Sequence, residues 1–135
     1  MKVMAWMLVA LAFQAPPPLR TLDKGGQTYV DEVRRVTVRT AAEWNTLWRQ
    51  HSPDRAQPPV DFGREMVLAV FMGSRPTAGF NVEIVGAQVE EGVLVVRVRE
   101  TRPQRDQILA QVITSPYHLV AVPHHGGDVR FENLR

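Results

Sequence analysis

The chain has 135 residues, no cysteine and a formal net charge of +2 at neutral pH. This length suits one domain with one sizeable core, and the lack of cysteine excludes disulfides, thiolate metal sites, a cysteine nucleophile and a lipid anchor on cysteine. Basic residues form no run longer than Arg34-Arg35, so the composition gives no indication of nucleic-acid binding.

The first residues have the pattern of a secretory signal peptide. Lys2 gives a positive start, residues 3–12 are an apolar stretch of suitable length, and small residues continue to Ala15. We therefore expect a signal peptide over 1–15, cleaved after Ala12 or Ala15, and a secreted or periplasmic mature protein. The alternative is an uncleaved membrane anchor, although the apolar stretch is short for a transmembrane helix.

The residues that follow favour an irregular start to the mature chain. Residues 16–28 contain Pro16-Pro17-Pro18 and Gly25-Gly26, which predict an extended or flexible linker. A single β-rich domain is expected over 29–135. Its first strand signals lie between Tyr29 and Thr40, where apolar and polar residues begin to alternate.

The clearest local signal is a helix start. Thr40-Ala41-Ala42-Glu43 is a capping box, in which the Thr and Glu side chains satisfy free N–H groups of the first turn. A helix is predicted from Ala41 to about Gln50. Trp44, Leu47 and Trp48 share one face of it, so we expect that face to pack against a sheet.

Residues 65–90 are predicted to form a strand, a loop and a second strand, with the rest of the domain arranged around them. Met66 to Met72 is a continuous apolar run, typical of a strand buried on both faces. Residues 80–90 alternate, as expected for a strand with one exposed face. The loop 73–79 has Gly at both ends and Pro76 inside, and it is either a stiff recognition element or a simple connection.

Further strand signals fill the second half of the chain. They lie at 93–100, 108–114, 117–122 and 129–132, and the first of them is expected to form a hairpin with 80–90. One early helix and six to eight strands predict an α+β fold. We expect a mainly antiparallel β sandwich or a partly closed barrel, with one N-terminal helix packed on it.

Motifs for catalysis are weak. Ser74 or Ser115 could supply a Ser-His-Asp set with His118 and Asp61, but no strand-to-helix nucleophile elbow accompanies them. His118, His124 and His125 with Asp128 are the nearest approach to a metal-binding group, but adjacent histidines on a strand point to opposite faces. The expectation is therefore a protein that is not an enzyme, with no cofactor, no metal and no small-molecule substrate.

The order of several motifs resembles the C-terminal domain of the protease-complex subunit PrcB, over roughly Thr37 to Phe131. The motifs are a helix with W-x-x-L-W, a Val-Asp-Phe segment, G-x-R-P-T-A-G-F, and T-S-P-Y-H-L-V before a terminal V-x-F. The resemblance implies an extracytoplasmic, non-enzymatic accessory domain whose protein partner is a secreted or envelope protease. It also implies a role in the assembly or stability of that protease complex.

The resemblance also points to particular residues. The candidate partner-binding residues are Gly73, Arg75, Pro76, Thr77, Gly79 and Phe80. The candidates for structural or loop support are Asp61, Phe62, Ser115, Pro116 and Tyr117. The side chain of Arg75 is expected either to point outward or to pair with a carboxylate such as Asp61.

A second resemblance belongs to a different functional class. The segment R-P-T-A-G-F is similar to the N-P-T-T-G-Y/F loop of chagasin-type inhibitors of cysteine proteases, with Arg75 at the position of Asn. It implies an inhibitor that acts through the Arg75–Phe80 loop. A third possibility is a structural envelope domain, whose loop binds a peptide or whose sheet edge accepts an added strand.

Overall fold

The computed structural model describes residues 18–135, so the signal peptide predicted for 1–15 lies outside the described residues. Seven strands and one helix follow one another along the described part of the chain. Their bounds are β1 Arg20–Gly25, β2 Val33–Val38, α1 Ala41–His51, β3 Glu65–Met72, β4 Asn81–Glu90, β5 Val93–Thr101, β6 Tyr117–Pro123 and β7 Val129–Asn133. No helix within 18–135 has the length and hydropathy needed to cross a membrane.

Strand β3 is buried on both faces, as its continuous apolar sequence predicts. It lies between β2 and β6 in a four-stranded antiparallel sheet with the order β1-β6-β3-β2. Its even-numbered residues from Met66 to Met72 face a core shared with the second sheet, and its odd-numbered residues from Val67 to Phe71 face helix α1. The fold therefore has three layers, with one core on each side of this sheet.

The second sheet has three strands in the order β4-β5-β7 and packs face to face on the first. The predicted α+β fold is thus confirmed as an open sandwich, and the alternative of a partly closed barrel is wrong. One pairing departs from the expected antiparallel pattern, because β5 and β7 run parallel. This arrangement is possible because the chain crosses to the other sheet as β6 before it returns.

Strand β1 is a correction to the sequence analysis. Residues 20–25 form an edge strand paired with β6, whereas a linker was expected over 16–28. The ladder has a bulge between Thr21 and Asp23. Residues 20–25 form a strand because β6 offers them backbone hydrogen-bond partners, which their own composition does not reveal. The polar side chain of Asp23 fits this position because it is bonded to the buried His51. The proline and glycine content of this region therefore misled the prediction.

The segment 108–114 is a second correction, because a strand was predicted there and a loop is observed. Only Thr114 makes a ladder contact, an isolated antiparallel bridge to Arg75. Ile108 and Ile113 are exposed and do not enter a core. The apolar sequence has the composition of a strand, but it packs against another loop and lacks a strand edge to pair with.

Helix α1 begins at the predicted cap. The Thr40 hydroxyl oxygen accepts the N–H of Glu43 at 3.2 Å, and the hydroxyl donates to the Glu43 carboxylate at 2.9 Å. In a regular capping box the Glu43 carboxylate would accept the backbone N–H of Thr40, whereas here it accepts the Thr40 hydroxyl. Trp44 and Trp48 face the sheet as predicted, and each indole N–H donates to a backbone carbonyl within 55–58. The indoles are therefore core side chains whose polar atoms are satisfied.

His118 joins the two sheets from inside the core between them. Its Nδ1 accepts the backbone N–H of Ile84 in β4 at 2.9 Å, so the proton lies on Nε2, which contacts the Thr21 hydroxyl in β1 at 2.9 Å. Desolvation is the main cause that lowers the pKa of His118 to about 4; the charge of Lys24 acts in the same direction, and the charge of Glu83 opposes it. The imidazole is therefore neutral in the folded protein near neutral pH.

We expect the free energy of unfolding to fall as the pH is lowered from 6.5 towards 4. An unfolded His118 gains its proton near its ordinary pKa of 6.5, whereas the folded one gains it only at about 4. The difference between these two pKa values corresponds to a loss of about 3 kcal/mol in the free energy of unfolding. Urea unfolding across this pH range should show a shallower slope for His118→Gln, while the exposed His124→Gln should keep the wild-type slope. An unchanged slope in His118→Gln would show that this histidine does not set the pH dependence.

Candidate functional site

The loop 73–80 packs against the long loop 102–116, and the two are called the paired loops here. Arg75 and Thr114 exchange both backbone hydrogen bonds, at 2.6 and 2.8 Å. The N–H of Ala78 donates to another carbonyl of the long loop at 3.1 Å. The loop 73–80 was predicted to be either a recognition element or a simple connection between strands. In the structure, hydrogen bonds to the long loop hold it in one conformation.

Glycine is required where the two loops approach each other. Gly79 has a φ of +91°, and a Cβ at this position would lie 3.0 Å from side-chain atoms of both Leu109 and Pro103. Gly73, at the other end of the first loop, has a φ of +79°. Both backbone conformations disfavour other residues. The two glycines therefore set the shape of the loop and do not present side chains to a partner.

Arg75 lies over the ring of Phe80, with the guanidinium carbon 5.4 Å from the ring centroid. Its Nε donates to the carbonyl of Met72 at 3.2 Å. Neither of the two expected orientations is observed, since the side chain is half-buried and Asp61 instead lies 3.9 Å from Arg64. Arg75 thus supports the loop through its own contacts and is only partly available to a partner.

The remaining candidate residues of the first loop differ in exposure. Pro76 is exposed, and Thr77 is half-buried with its carbonyl bonded to the Thr114 hydroxyl at 2.9 Å. Phe80 packs against the core between the sheets. Part of the motif that suggested recognition therefore serves to fix the loop to its neighbours.

Asp61 and Phe62 lie at the entry to β3, at the opposite end of the strand from the paired loops. The Asp61 carboxylate accepts the N–H of Gly63 at 3.0 Å, which closes the turn before the strand. Phe62 packs against the core beneath α1. These two residues position β3 but do not form one site with the loop 73–80.

Ser115, Pro116 and Tyr117 connect the long loop to β6. The Ser115 hydroxyl oxygen accepts the backbone N–H of Thr28 at 3.1 Å and the hydroxyl contacts the Thr28 carbonyl at 3.2 Å. The carbonyl of Pro116 accepts the N–H of Met72 at 2.9 Å. Tyr117 begins β6 and is buried. This end of the long loop is therefore anchored to Thr28 and to the end of β3.

The long loop presents three exposed apolar side chains, which are called the loop surface here. Ile108 is 100% exposed, Ile113 is 70% exposed and Val112 is 51% exposed. The three side chains lie within six consecutive residues of one loop, and contiguous exposed apolar surface is typical of interaction sites. Sequence reasoning missed them because it placed the same residues in a strand, where they would have been buried.

A buried polar cluster, which the sequence did not suggest, joins β1, the end of α1 and β6. His51 has no exposed surface, and its Nε2 lies 2.7 Å from the Asp23 carboxylate. Its Nδ1 lies 2.6 Å from the hydroxyl of Thr28. Arg55 also pairs with Asp23, and the ring of Tyr117 packs edge-on against His51 at 4.4 Å between centroids. The cluster ties the edge strand β1 to the helix layer.

Charge in this cluster is set by burial and by the ion pair. Burial would raise the pKa of Asp23, but hydrogen bonds from Arg55 and His51 outweigh this effect and lower it. Burial lowers the pKa of His51 by more than Asp23 raises it. A neutral His51 then donates from Nε2 to Asp23 and accepts the Thr28 hydroxyl at Nδ1.

The order hydroxyl, imidazole and carboxylate is also that of hydrolytic triads. The Thr28 oxygen additionally accepts the backbone N–H of Val30 at 3.2 Å, which engages it in a turn. His51 is enclosed by aromatic rings, including those of Trp48 and Phe71. The arrangement is therefore suited to holding structural elements together more than to attacking a substrate. Neither Ser74 nor Ser115 comes together with Asp61, because both serines lie near the end of β3 and Asp61 precedes its start.

We expect Gly79→Ala to separate the paired loops. An alanine must adopt a positive φ and push against Leu109 and Pro103, which costs about 1–3 kcal/mol. Amide hydrogen exchange at Ala78 should accelerate, because its hydrogen bond joins the two loops. Gly86→Ala is the matched control, since no atom lies within 4 Å of its added Cβ. Unchanged exchange in Gly79→Ala would show that the loop contact does not depend on glycine.

We expect Asp23→Asn to lower the free energy of unfolding by about 1–3 kcal/mol, because a neutral amide replaces the acceptor shared by His51 and Arg55. Asp54→Asn is the control, since this exposed residue accepts one hydrogen bond from Tyr29. Urea unfolding of both variants at neutral pH provides the comparison. Equal stability of the two variants would contradict a structural role for the cluster.

Comparison with known proteins finds a family match that contains the paired loops. Residues 66–123 match the family model described as PrcB C-terminal. The match runs from β3 to the end of β6 and contains both loops, a shorter extent than the resemblance found over Thr37 to Phe131. Searches of curated proteins and of solved structures gave no match. The match over residues 66–123 supports the resemblance of this part of the chain to the PrcB C-terminal domain family.

Proposed function

We propose that this domain is a non-enzymatic accessory module that binds a protein partner through the loop surface. The observation that carries the proposal is the exposure of Ile108 and Ile113 on a loop that is fixed to its neighbour and lies inside the family match. The resemblance to PrcB favours a secreted or envelope protease as the partner. The role would then be to assist the assembly or stability of that protease complex.

The geometry of the loops supports binding with little loss of conformational freedom. The bonds between Arg75, Ala78 and the long loop already fix the backbone beside the apolar side chains. A surface that is ordered before binding loses less entropy when it meets a partner. Removing Ile108 and Ile113 from water then contributes directly to affinity.

The inhibitor hypothesis for the Arg75–Phe80 loop has less support. An inhibitory loop offers its backbone groups to a protease cleft, but the N–H of Ala78 and the carbonyl of Thr77 are bonded within the domain. The half-buried Arg75 is held over Phe80. These contacts favour an accessory role, and inhibition becomes one outcome of the experiment below.

The proposed partner can be sought with the mature protein immobilised and exposed to envelope extract and culture fluid. The test variant carries Ile108→Asp and Ile113→Asp, and the control carries Val89→Asp, an exposed apolar position in β4. We expect a protease to be retained by the wild type and the control, and to be reduced about tenfold or more by the test variant. Arg75→Ala is a poorer test because it also removes a contact that supports the loop.

Activity assays on the captured protease then separate the roles. A longer active lifetime in the presence of the domain supports a stabiliser, whereas loss of activity identifies an inhibitor. Equal capture by the test variant and the control would contradict the loop surface as the binding site. Absence of any protease would leave a structural envelope role as the better account.

We also propose that the chain is exported. Cleavage after Ala12 or Ala15 removes the apolar segment and leaves β1 complete, since that strand begins at Arg20. N-terminal sequencing of protein from the envelope or medium should find Phe13 or Pro16 as the first residue. A chain that retains Met1 in the membrane fraction would support the uncleaved anchor instead.

A further inference from the structure

Strand β2 leaves one edge of the four-stranded sheet unpaired. The N–H of Met72 donates towards β6, so the backbone groups of Phe71 point the other way, to Arg34 of β2. The even-numbered residues of β2 are therefore bonded to β3, and the backbone groups of its odd-numbered residues point away from the sheet. These outward residues are Val33, Arg35 and Thr37.

This edge is unusually regular compared with the other edges of the two sheets. β2 pairs with β3 without a register shift and contains neither proline nor glycine. In contrast, β1 and β4 each carry a bulge, and β7 is only five residues long. Bulges and short strands are the usual devices that prevent an edge from pairing with another chain. Within residues 18–135, no hydrogen bond to the outward backbone groups of β2 is present.

A groove runs beside the open edge, between β2 and helix α1. Its volume is about 370 Å³. Val36 and Ala42 line it together with the nearly buried Val38 and Leu47. Polar side chains complete the lining, and among them Arg34 of the strand donates to Gln50 of the helix at 2.8 Å. A strand added to β2 would place every second side chain in this groove, because side chains alternate between the faces of a sheet.

Two arginines lie on the opposite side: Arg35 within β2, which is paired with a carboxylate, and Arg39 just after the strand, which within residues 18–135 is not. Arg35 and Arg39 both point to this side, where Arg35 lies 3.5 Å from Glu100. Arg39 donates to the backbone carbonyl of Gly127 at 2.7 Å, and no carboxylate of residues 18–135 lies within 4.0 Å of it. The intervening side chains of an added strand would face these two guanidinium groups, so acidic residues suit those positions.

We propose that the edge of β2 binds an extended segment of a partner protein as a fifth strand. The segment would have apolar residues at alternate positions, which enter the groove beside α1, and acidic residues between them, which face Arg35 and Arg39. Backbone bonds to β2 supply affinity and the groove supplies selectivity. The edge is continuous with the paired loops, since an added Cβ on Gly73 would lie 3.1 Å from Val33.

The first test uses a fluorescein-labelled synthetic peptide that alternates valine and glutamate, titrated with the mature protein and followed by fluorescence anisotropy. We expect saturable binding. A peptide that alternates valine and lysine should bind at least roughly tenfold more weakly, because lysine would face Arg35 and Arg39. Lack of saturable binding by the glutamate peptide, or equal binding of both peptides, would overturn the proposal.

Two pairs of variants locate the peptide. Thr37→Pro removes an N–H that points away from β3, and Thr37→Val keeps it. Ala42→Trp fills the groove, whereas Ala41→Trp adds the same side chain at a helical position outside it. We expect affinity to fall roughly tenfold or more in the first member of each pair and to be kept in the second. Binding that is unaffected by Thr37→Pro contradicts strand addition.

Amide hydrogen exchange tests the same point without substitutions. Bound peptide should slow exchange at Arg35 and Thr37, and Ile108→Asp with Ile113→Asp should leave peptide affinity unchanged. Protection confined to the paired loops would overturn the proposal while leaving the loop surface as a binding site. A concentration-dependent dimer of the mature protein that Thr37→Pro abolishes would also overturn it, because the occupant would be a second copy of the chain.

Discussion

Burial of β3 on both faces is the constraint on which the other elements depend. Its seven residues from Met66 to Met72 are each at most 2% exposed. Seven such residues cannot be covered by one layer, so the fold needs α1 on one side and the three-stranded sheet on the other. The same constraint places the loop 73–80 at the end of a rigid strand, where its position is fixed by the two cores.

Two buried histidines hold the layers together in physically different ways. The Nδ1 atom of His118 accepts the backbone N–H of Ile84, and this N–H is fixed in strand β4. A proton added to Nδ1 would therefore point at another hydrogen-bond donor. His51 faces the Thr28 hydroxyl, which can rotate and also lies 3.1 Å from the His51 carbonyl. Protonation of His51 beside Asp23 is therefore better tolerated than protonation of His118, although burial lowers the pKa of both.

Sequence patterns correctly predicted the elements that are determined by residues close together in the chain. The capping box located the start of α1, and the continuous apolar run identified β3 as the central strand. The turn between β4 and β5 has positive φ at Glu91 and Gly92, as a tight hairpin requires. In each case the residues that give the signal are the residues that make the contacts.

The elements that were missed depend on distant partners. β1 is held by β6, almost a hundred residues away in sequence, so its own composition indicated a linker. The segment 108–114 has the composition of a strand but meets the loop 73–80 and no free edge. The cluster of Asp23, Thr28 and His51 is likewise formed only by tertiary contacts. A single sequence gives no information on such contacts, because nothing local marks the partner.

The two proposed binding elements differ in their relation to the family. The loop surface lies within the segment 66–123 that matches the PrcB C-terminal family, whereas β2 and α1 precede it. They nevertheless meet, because Val33 at the start of β2 lies against Gly73 and Ser74 donates to the carbonyl of Asp31. One partner could therefore engage both, and the second contact would form at the high effective concentration that the first creates. The loop surface would then supply one contact, and the edge of β2 would add a second that depends on the sequence of the partner's extended segment.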